Sequence, residues 1–88
     1  MNPQSIQDKV LLIISEILGV PLNKVFLLSN LSADLDADEF DIIEIVRELE
    51  GEFDIVFTDE DIEKIKSVFG FIQVTERELK IKSGVQNS

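Results

Sequence analysis

The sequence predicts an all-α protein, an antiparallel four-helix bundle with a long loop between the first and second helices. Two observations carry this expectation. Four segments repeat their apolar residues at the helical period. Each follows a Ser, Asp or Thr of the kind that caps a helix N-terminus, at Ser5, Asp38, Thr58 and Ser67. The alternation from Glu78 to Lys82 would also suit a strand, but no second strand is available to pair with it. Eighty-eight residues make at most one domain, assigned to 1–82, with 83–88 as a flexible tail.

The first helix is expected from Ser5 to Leu18. Ser5 with Asp8 three residues on is a start signal. Ile6, Val10, Ile13, Ile14, Ile17 and Leu18 form the apolar stripe, widened by Leu11 and Leu12. Gly19 suits the left-handed residue after a helix, and Pro21 bars continuation. Residues 20–37 form a long connection. Its Val25, Phe26, Leu27, Leu28, Leu31 and Leu35 are too apolar for a solvated linker, so it is expected to pack on the bundle.

The second helix organises the chain. Asp38 is its N-cap, and Asp41 completes a capping box with Asp in place of the usual Glu. Glu39 and Asp41 put negative charge where the helix dipole favours it. Ile42, Ile45, Val46, Leu49 and Phe53 fall within an arc of roughly 100° and face the core. Phe40 projects roughly 160° from the centre of that stripe, and Ile43 lies at its edge. Asp41, Glu44, Arg47 and Glu48 share Phe40's side. Two readings of Phe40 stay open: it folds back under a loop, or it belongs to a surface that docks a partner.

Thr58 is expected to cap a short third helix, with Asp59, Glu60 and Asp61 in its first turn, Lys64 and Lys66 towards its end, and Ile62 and Ile65 facing inward. A last helix follows from Val68 to about Lys80, burying Val68, Phe71, Ile72 and Leu79.

The formal net charge of −10 is unevenly spread. Fourteen of the eighteen acidic residues lie in 34–63 against a single basic one, Arg47, for a net of −13; the remainder of the chain is +3. Such a surface argues against nucleic acid and anionic membranes and favours a partner with a basic docking surface, steered by long-range attraction. Simple solubility is the plain alternative. With neither Cys nor His, the chain lacks thiolate chemistry and the commonest general base and metal ligand. No catalytic residue and no metal site are assigned. Asp34, Asp36 and Asp38 match the first three ligand positions of a calcium loop, but Glu39 stands where Gly is needed and Ile45 where the bidentate Glu belongs. A weak, exchangeable cation site on the acidic patch is the function that remains in that class. The N-terminus lacks a basic signal-peptide region, and no apolar run approaches a membrane span. A soluble, cytoplasmic monomer is expected.

The run Asp34-Leu35-Asp36-Ala37-Asp38-Glu39-Phe40-Asp41 resembles the D-L-G-A-D-S-L-D signature of acyl carrier proteins and their peptidyl-carrier relatives. The likeness continues through Glu44, Leu49, Glu50, Glu52-Phe53-Asp54, Asp59-Glu60-Asp61, Glu63-Lys64-Ile65 and Val68, covering about residues 5–75. The resemblance implies a small helical bundle that docks on enzymes of fatty-acid, polyketide or nonribosomal-peptide biosynthesis. It also implies that the Ser of D-S-L carries 4′-phosphopantetheine. Here Glu39 occupies that position, flanked by Asp38 and Phe40, and Asp36 replaces the Gly. A phosphodiester needs a hydroxyl, and a carboxylate would give a readily hydrolysed acyl phosphate, so no cofactor is expected on Glu39. Ser29 and Ser32 do not follow the family's Asp at a helix start and are not taken as substitutes. Asp41, Ile43, Glu44, Arg47 and Glu48 are the candidate docking residues. The expected function is that of a carrier-family protein with a variant attachment site, or alternatively a non-carrying interaction or regulatory module for the same enzymes.

Overall fold

A computed structural model describes residues 5–84. Four helices follow one another: α1 Ile6–Leu18, α2 Glu39–Phe53, α3 Asp59–Lys64 and α4 Val68–Gly84, with a 3-10 turn at Leu22–Lys24. The long loop lies between α1 and α2, as expected.

The local start and stop signals act where they stand. Ser5 Oγ accepts the Asp8 N–H at 3.0 Å. Gly19 closes α1 at φ 68°, a left-handed backbone that costs glycine little. At the start of α2 the Asp41 N–H donates to Asp38 Oδ1 at 2.9 Å, and the Asp38 N–H donates back to Asp41 Oδ2 at 3.0 Å. Thr58 and Asp61 repeat this reciprocal cap at α3, both bonds 3.0 Å long. Each cap satisfies two N–H groups that the helix cannot bond internally.

Tertiary bonds set the helix directions. Lys9 near the start of α1 reaches Glu52 near the end of α2 at 3.5 Å, so these two run antiparallel. Lys82 near the end of α4 donates to the Asp54 carbonyl and carboxylate, each at 2.8 Å, just past the end of α2. α2 and α4 therefore run in the same sense, which the returning stretch 54–67 with α3 makes possible. α1 packs on both of them.

The core joins Val10 and Ile14 of α1, Ile45, Val46 and Leu49 of α2, and Val68, Phe71, Ile72 and Val74 of α4. The connections contribute heavily: Val25, Leu31, Leu35, Ala37, Ile55, Phe57 and Ile65 are all buried. Phe57 and Phe71 lean together with ring centroids 6.2 Å apart. Thr75 is buried, and among the described residues its Oγ1 has no hydrogen-bond partner; the helical period alone did not single it out.

Several expectations are corrected. Leu18 and Phe53 are half-buried at the rim of the core, because each ends its helix and has no further turn to cover it. Phe26 and Leu28 do not pack; they are 64% and 84% exposed. The turn they belong to is closed by Ser29, whose N–H donates to the Phe26 carbonyl and whose Oγ accepts the Phe26 N–H; Phe26 and Leu28 point outward from it while Leu27 between them packs on the core. Ile65 is buried as the residue that ends α3, not as part of it. α4 passes Lys80 to reach Gly84, so 78–82 is helical and Ser83 and Gly84, assigned to the tail, end the helix. The rest of that tail, 85–88, lies outside the described residues.

α3 is held to α4 by Arg77. Its guanidinium donates to both oxygens of Asp61, at 3.1 and 2.9 Å. That hydrogen bonding, opposed in part by desolvation and helped by Thr58, lowers the Asp61 carboxyl to about 2. A lowered folded value means stability that is present above the ordinary carboxylate range and lost as the pH falls through about 2. Arg77→Ala is expected to destabilise at pH 5 and to cost progressively less towards pH 2, measured by urea unfolding across that range. An equal cost at both ends would show that the pair contributes nothing through its charge.

Candidate functional site

The site is built around the N-terminus of α2. The loop before it is tied to itself and to the α3–α4 junction. Asn30 Oδ1 accepts the N–H groups of Ser32 and Ala33 at 3.0 and 2.7 Å, and Asp34 Oδ2 accepts the Asn30 N–H at 2.7 Å. The Leu31 N–H donates to the Lys66 carbonyl at 3.0 Å, and the Val68 N–H to the Ser29 carbonyl at 3.1 Å. The Ala37 N–H returns to the Leu31 carbonyl at 2.8 Å, which aims the chain into α2. Between these bonds Asp36 takes φ 58°. That is the left-handed region Gly enters freely and Asp tolerates better than most residues.

This frame places Asp38 and Glu39 at the exposed start of α2. Phe40 is 82% exposed. It does not fold back under a loop. Glu44, Arg47 and Glu48 are exposed along the same side, while Asp41 and Ile43 are half-buried. Phe40, Ile43, Glu44 and Arg47 line one shallow depression on the outer face of α2. Of the predicted docking residues, Ile43, Glu44 and Arg47 thus share this face with Phe40, whereas Glu48 lines a separate depression with Lys9, Leu12 and Ile13 of α1, and the Asp41 carboxylate is engaged in the helix cap.

Sequence reasoning missed what lies on the other side of Glu39. A groove of about 430 Å³ opens there, lined by Leu31, Ala37, Ile42 and Ile65, with Asn30, Ser32, Lys66, Asp38 and Glu39 beside them. Asp38, Glu39 and Ile42 belong to α2 and its cap, and were singled out by the sequence for other reasons. Asn30, Leu31, Ser32 and Ala37 come from the loop and Ile65 and Lys66 from the stretch after α3, which the backbone bonds above bring to α2. The carboxylates of Asp34, Asp38 and Asp41 are already engaged by backbone N–H groups. Among the described residues no three His, Cys, Asp or Glu side chains gather as metal ligands would, and no helix is long and apolar enough to cross a membrane.

Comparison with known proteins agrees with this architecture. A family model described as "Phosphopantetheine attachment site" matches residues 8–74. The chain is similar to the acyl carrier protein of Chlorobium phaeovibrioides, with 44% identity over 68 residues that span 77% of this chain and 87% of that one. It is also similar to the acyl carrier protein of Buchnera aphidicola subsp. Schizaphis graminum, at 39% over 64 residues, 73% of this chain and 81% of the other. The crystal structure of an acyl carrier protein from Thermotoga maritima superposes with a TM-score of 0.77 at 27% identity, covering 93% of this chain and all of that one. The chain belongs to the acyl carrier protein family. It is a carrier-family protein rather than an enzyme, and the prosthetic group of the family is 4′-phosphopantetheine.

Proposed function

We propose that this chain docks through the acidic face of α2 on enzymes of fatty-acid, polyketide or nonribosomal-peptide biosynthesis that present basic surfaces, and that it does so without phosphopantetheine on Glu39. The carrying observation is the chemistry of position 39: a carboxylate, exposed in the first turn of a helix whose capping box is intact. The residues present do not fit the group, since a phosphopantetheinyl ester needs a hydroxyl there. In that state the protein is an interaction module, which occupies or recruits such enzymes without a tethered chain. It works as a cytoplasmic monomer. The acidic face supports the docking half of this reading, because Phe40 supplies an apolar anchor and Glu44 and Glu48 supply rim charges.

Incubation of wild type with a phosphopantetheinyl transferase and coenzyme A is expected to leave its intact mass unchanged. A gain of one phosphopantetheinyl group would overturn the reading and point to another hydroxyl, with Ser32 beside Glu39 the first to examine. Docking is tested separately, against a carrier-recognising enzyme. Phe40→Ala is expected to weaken binding by about tenfold, chiefly through off-rate. Glu44→Lys is expected to lower the on-rate and flatten its salt dependence. Two variants that fold and bind like wild type would remove α2 as the docking face.

A further inference from the structure

The two longest stretches without any Asp or Glu are 17–33 and 64–75, in a chain that holds eighteen acidic residues. They are far apart in sequence, yet the backbone joins them. The Phe69 N–H donates to the Leu27 carbonyl at 2.9 Å, the Val68 N–H to the Ser29 carbonyl at 3.1 Å, and the Leu31 N–H to the Lys66 carbonyl at 3.0 Å. The strip formed there is apolar and cationic. Leu28 is 84% exposed, Phe26 64% and Phe69 39%. Lys24 and Lys66 flank them, exposed, and among the described residues neither is in an ion pair. Three large apolar side chains exposed on two segments that the backbone joins are a docking signal in a way that scattered single ones are not. The charge of the strip is opposite to that of the α2 face.

We propose that this strip, where 24–29 meets 66–69, docks a second protein partner, one that presents apolar side chains rimmed by carboxylates. Charge complementarity selects that occupant. A second copy of the chain brings its own charge of −10. An anionic bilayer is a plane wide enough to meet the α2 charges as well. A protein surface of limited extent pairs with Lys24 and Lys66 within the roughly 8 Å over which charges act at physiological salt. Although Lys66 also lines the groove beside Asp38 and Glu39, the outer face of α2 at Phe40, Ile43, Glu44 and Arg47 is left free. The proposal does not rest on the α2 reading and implies a chain with two faces of opposite sign.

The test uses the full chain, labelled for amide NMR, and two synthetic amphipathic helical peptides. Both carry Leu and Phe at i, i+3, i+4 and i+7; one has Glu and the other Lys at the remaining positions. The Glu peptide is expected to shift amides of 24–29 and 66–70, with less effect as salt is raised. Leu28→Asp and Lys24→Glu are each expected to reduce that binding by about tenfold, while Phe40→Ala leaves it unchanged. Both altered side chains are exposed, so the fold is retained. The Lys peptide is expected to act on α2 instead. Absence of shifts from the Glu peptide up to about 1 mM, or shifts that survive Leu28→Asp, would overturn the proposal. So would concentration-dependent broadening of 24–29 in the protein alone, which indicates a second copy, or stronger binding of anionic phospholipid vesicles than of the Glu peptide. Failure here with loss of enzyme docking in Phe40→Ala would leave the α2 reading standing, and the reverse pattern would remove that reading alone.

Discussion

Glu39→Ser is expected to turn a protein that gains no mass with phosphopantetheinyl transferase and coenzyme A into one that gains a single phosphopantetheinyl group. The substitution changes one exposed side chain in the first turn of α2. The cap that orders this turn belongs to Asp38 and Asp41 and is untouched. The N–H groups and dipole of the helix start favour an incoming phosphate, so the missing element is the nucleophilic hydroxyl. Of the two other departures from the family signature, the backbone at Asp36 already holds φ 58°, the region a glycine would supply. The loop therefore keeps the path that Gly permits, although the carboxylate itself remains. Phe40, 82% exposed beside the site, is the more serious obstacle to a transferase that meets Leu in the family. If Glu39→Ser alone stays unmodified, adding Asp36→Gly and Phe40→Leu is expected to restore modification. A folded triple variant that still gains no mass would show that the loss extends beyond these three residues.

Leu49→Ala is expected to cost about 2–5 kcal/mol of unfolding free energy, the range for truncating a closed-core leucine. Leu49 is fully buried, between Ile45 and Val46 on one side of α2 and the residues of α1 and α4 that pack on it. For a domain whose total stability is on the order of 5–15 kcal/mol, that loss is a large share. Leu28→Ala is the matching control. It removes the same atoms from a side chain 84% exposed and is expected to stay within about 0.5 kcal/mol of wild type. Urea unfolding of both variants decides the matter, and a small effect at Leu49 would mean that the buried face of α2 has been assigned to the wrong residues.

Much of this was written in the order of the residues. The reciprocal cap of Asp38 and Asp41 defines the start of α2 within four residues of sequence, and the cap of Thr58 and Asp61 does the same for α3. Ile45, Val46 and Leu49 announce the buried side by their spacing. The carboxylate at position 39 needs no structure to be seen as unable to form the family's ester. These features depend on neighbours within one turn of helix, and such neighbours are known as soon as the sequence is.

The tertiary structure decided the rest, for a physical reason that holds throughout: periodicity identifies a face only where there is a period. The loop 20–38 has none, so Val25, Leu31 and Leu35 could not be told from Phe26 and Leu28. The first three are buried and the last two exposed because the turn closed by Ser29, the bonds within the loop and the backbone bonds of 27–31 to 66–69 together fix which side of the loop meets the bundle. The same bonds bring Asn30, Ser32 and Lys66 to Glu39, and they join two acid-free stretches into one cationic strip. Ile65 is buried by its place at the α3–α4 junction, and Phe40 stays exposed because none of the described residues covers it at the start of α2. Local chemistry determined the helices and the altered site; contacts between residues distant in sequence determined what surrounds that site and which surfaces are left for partners.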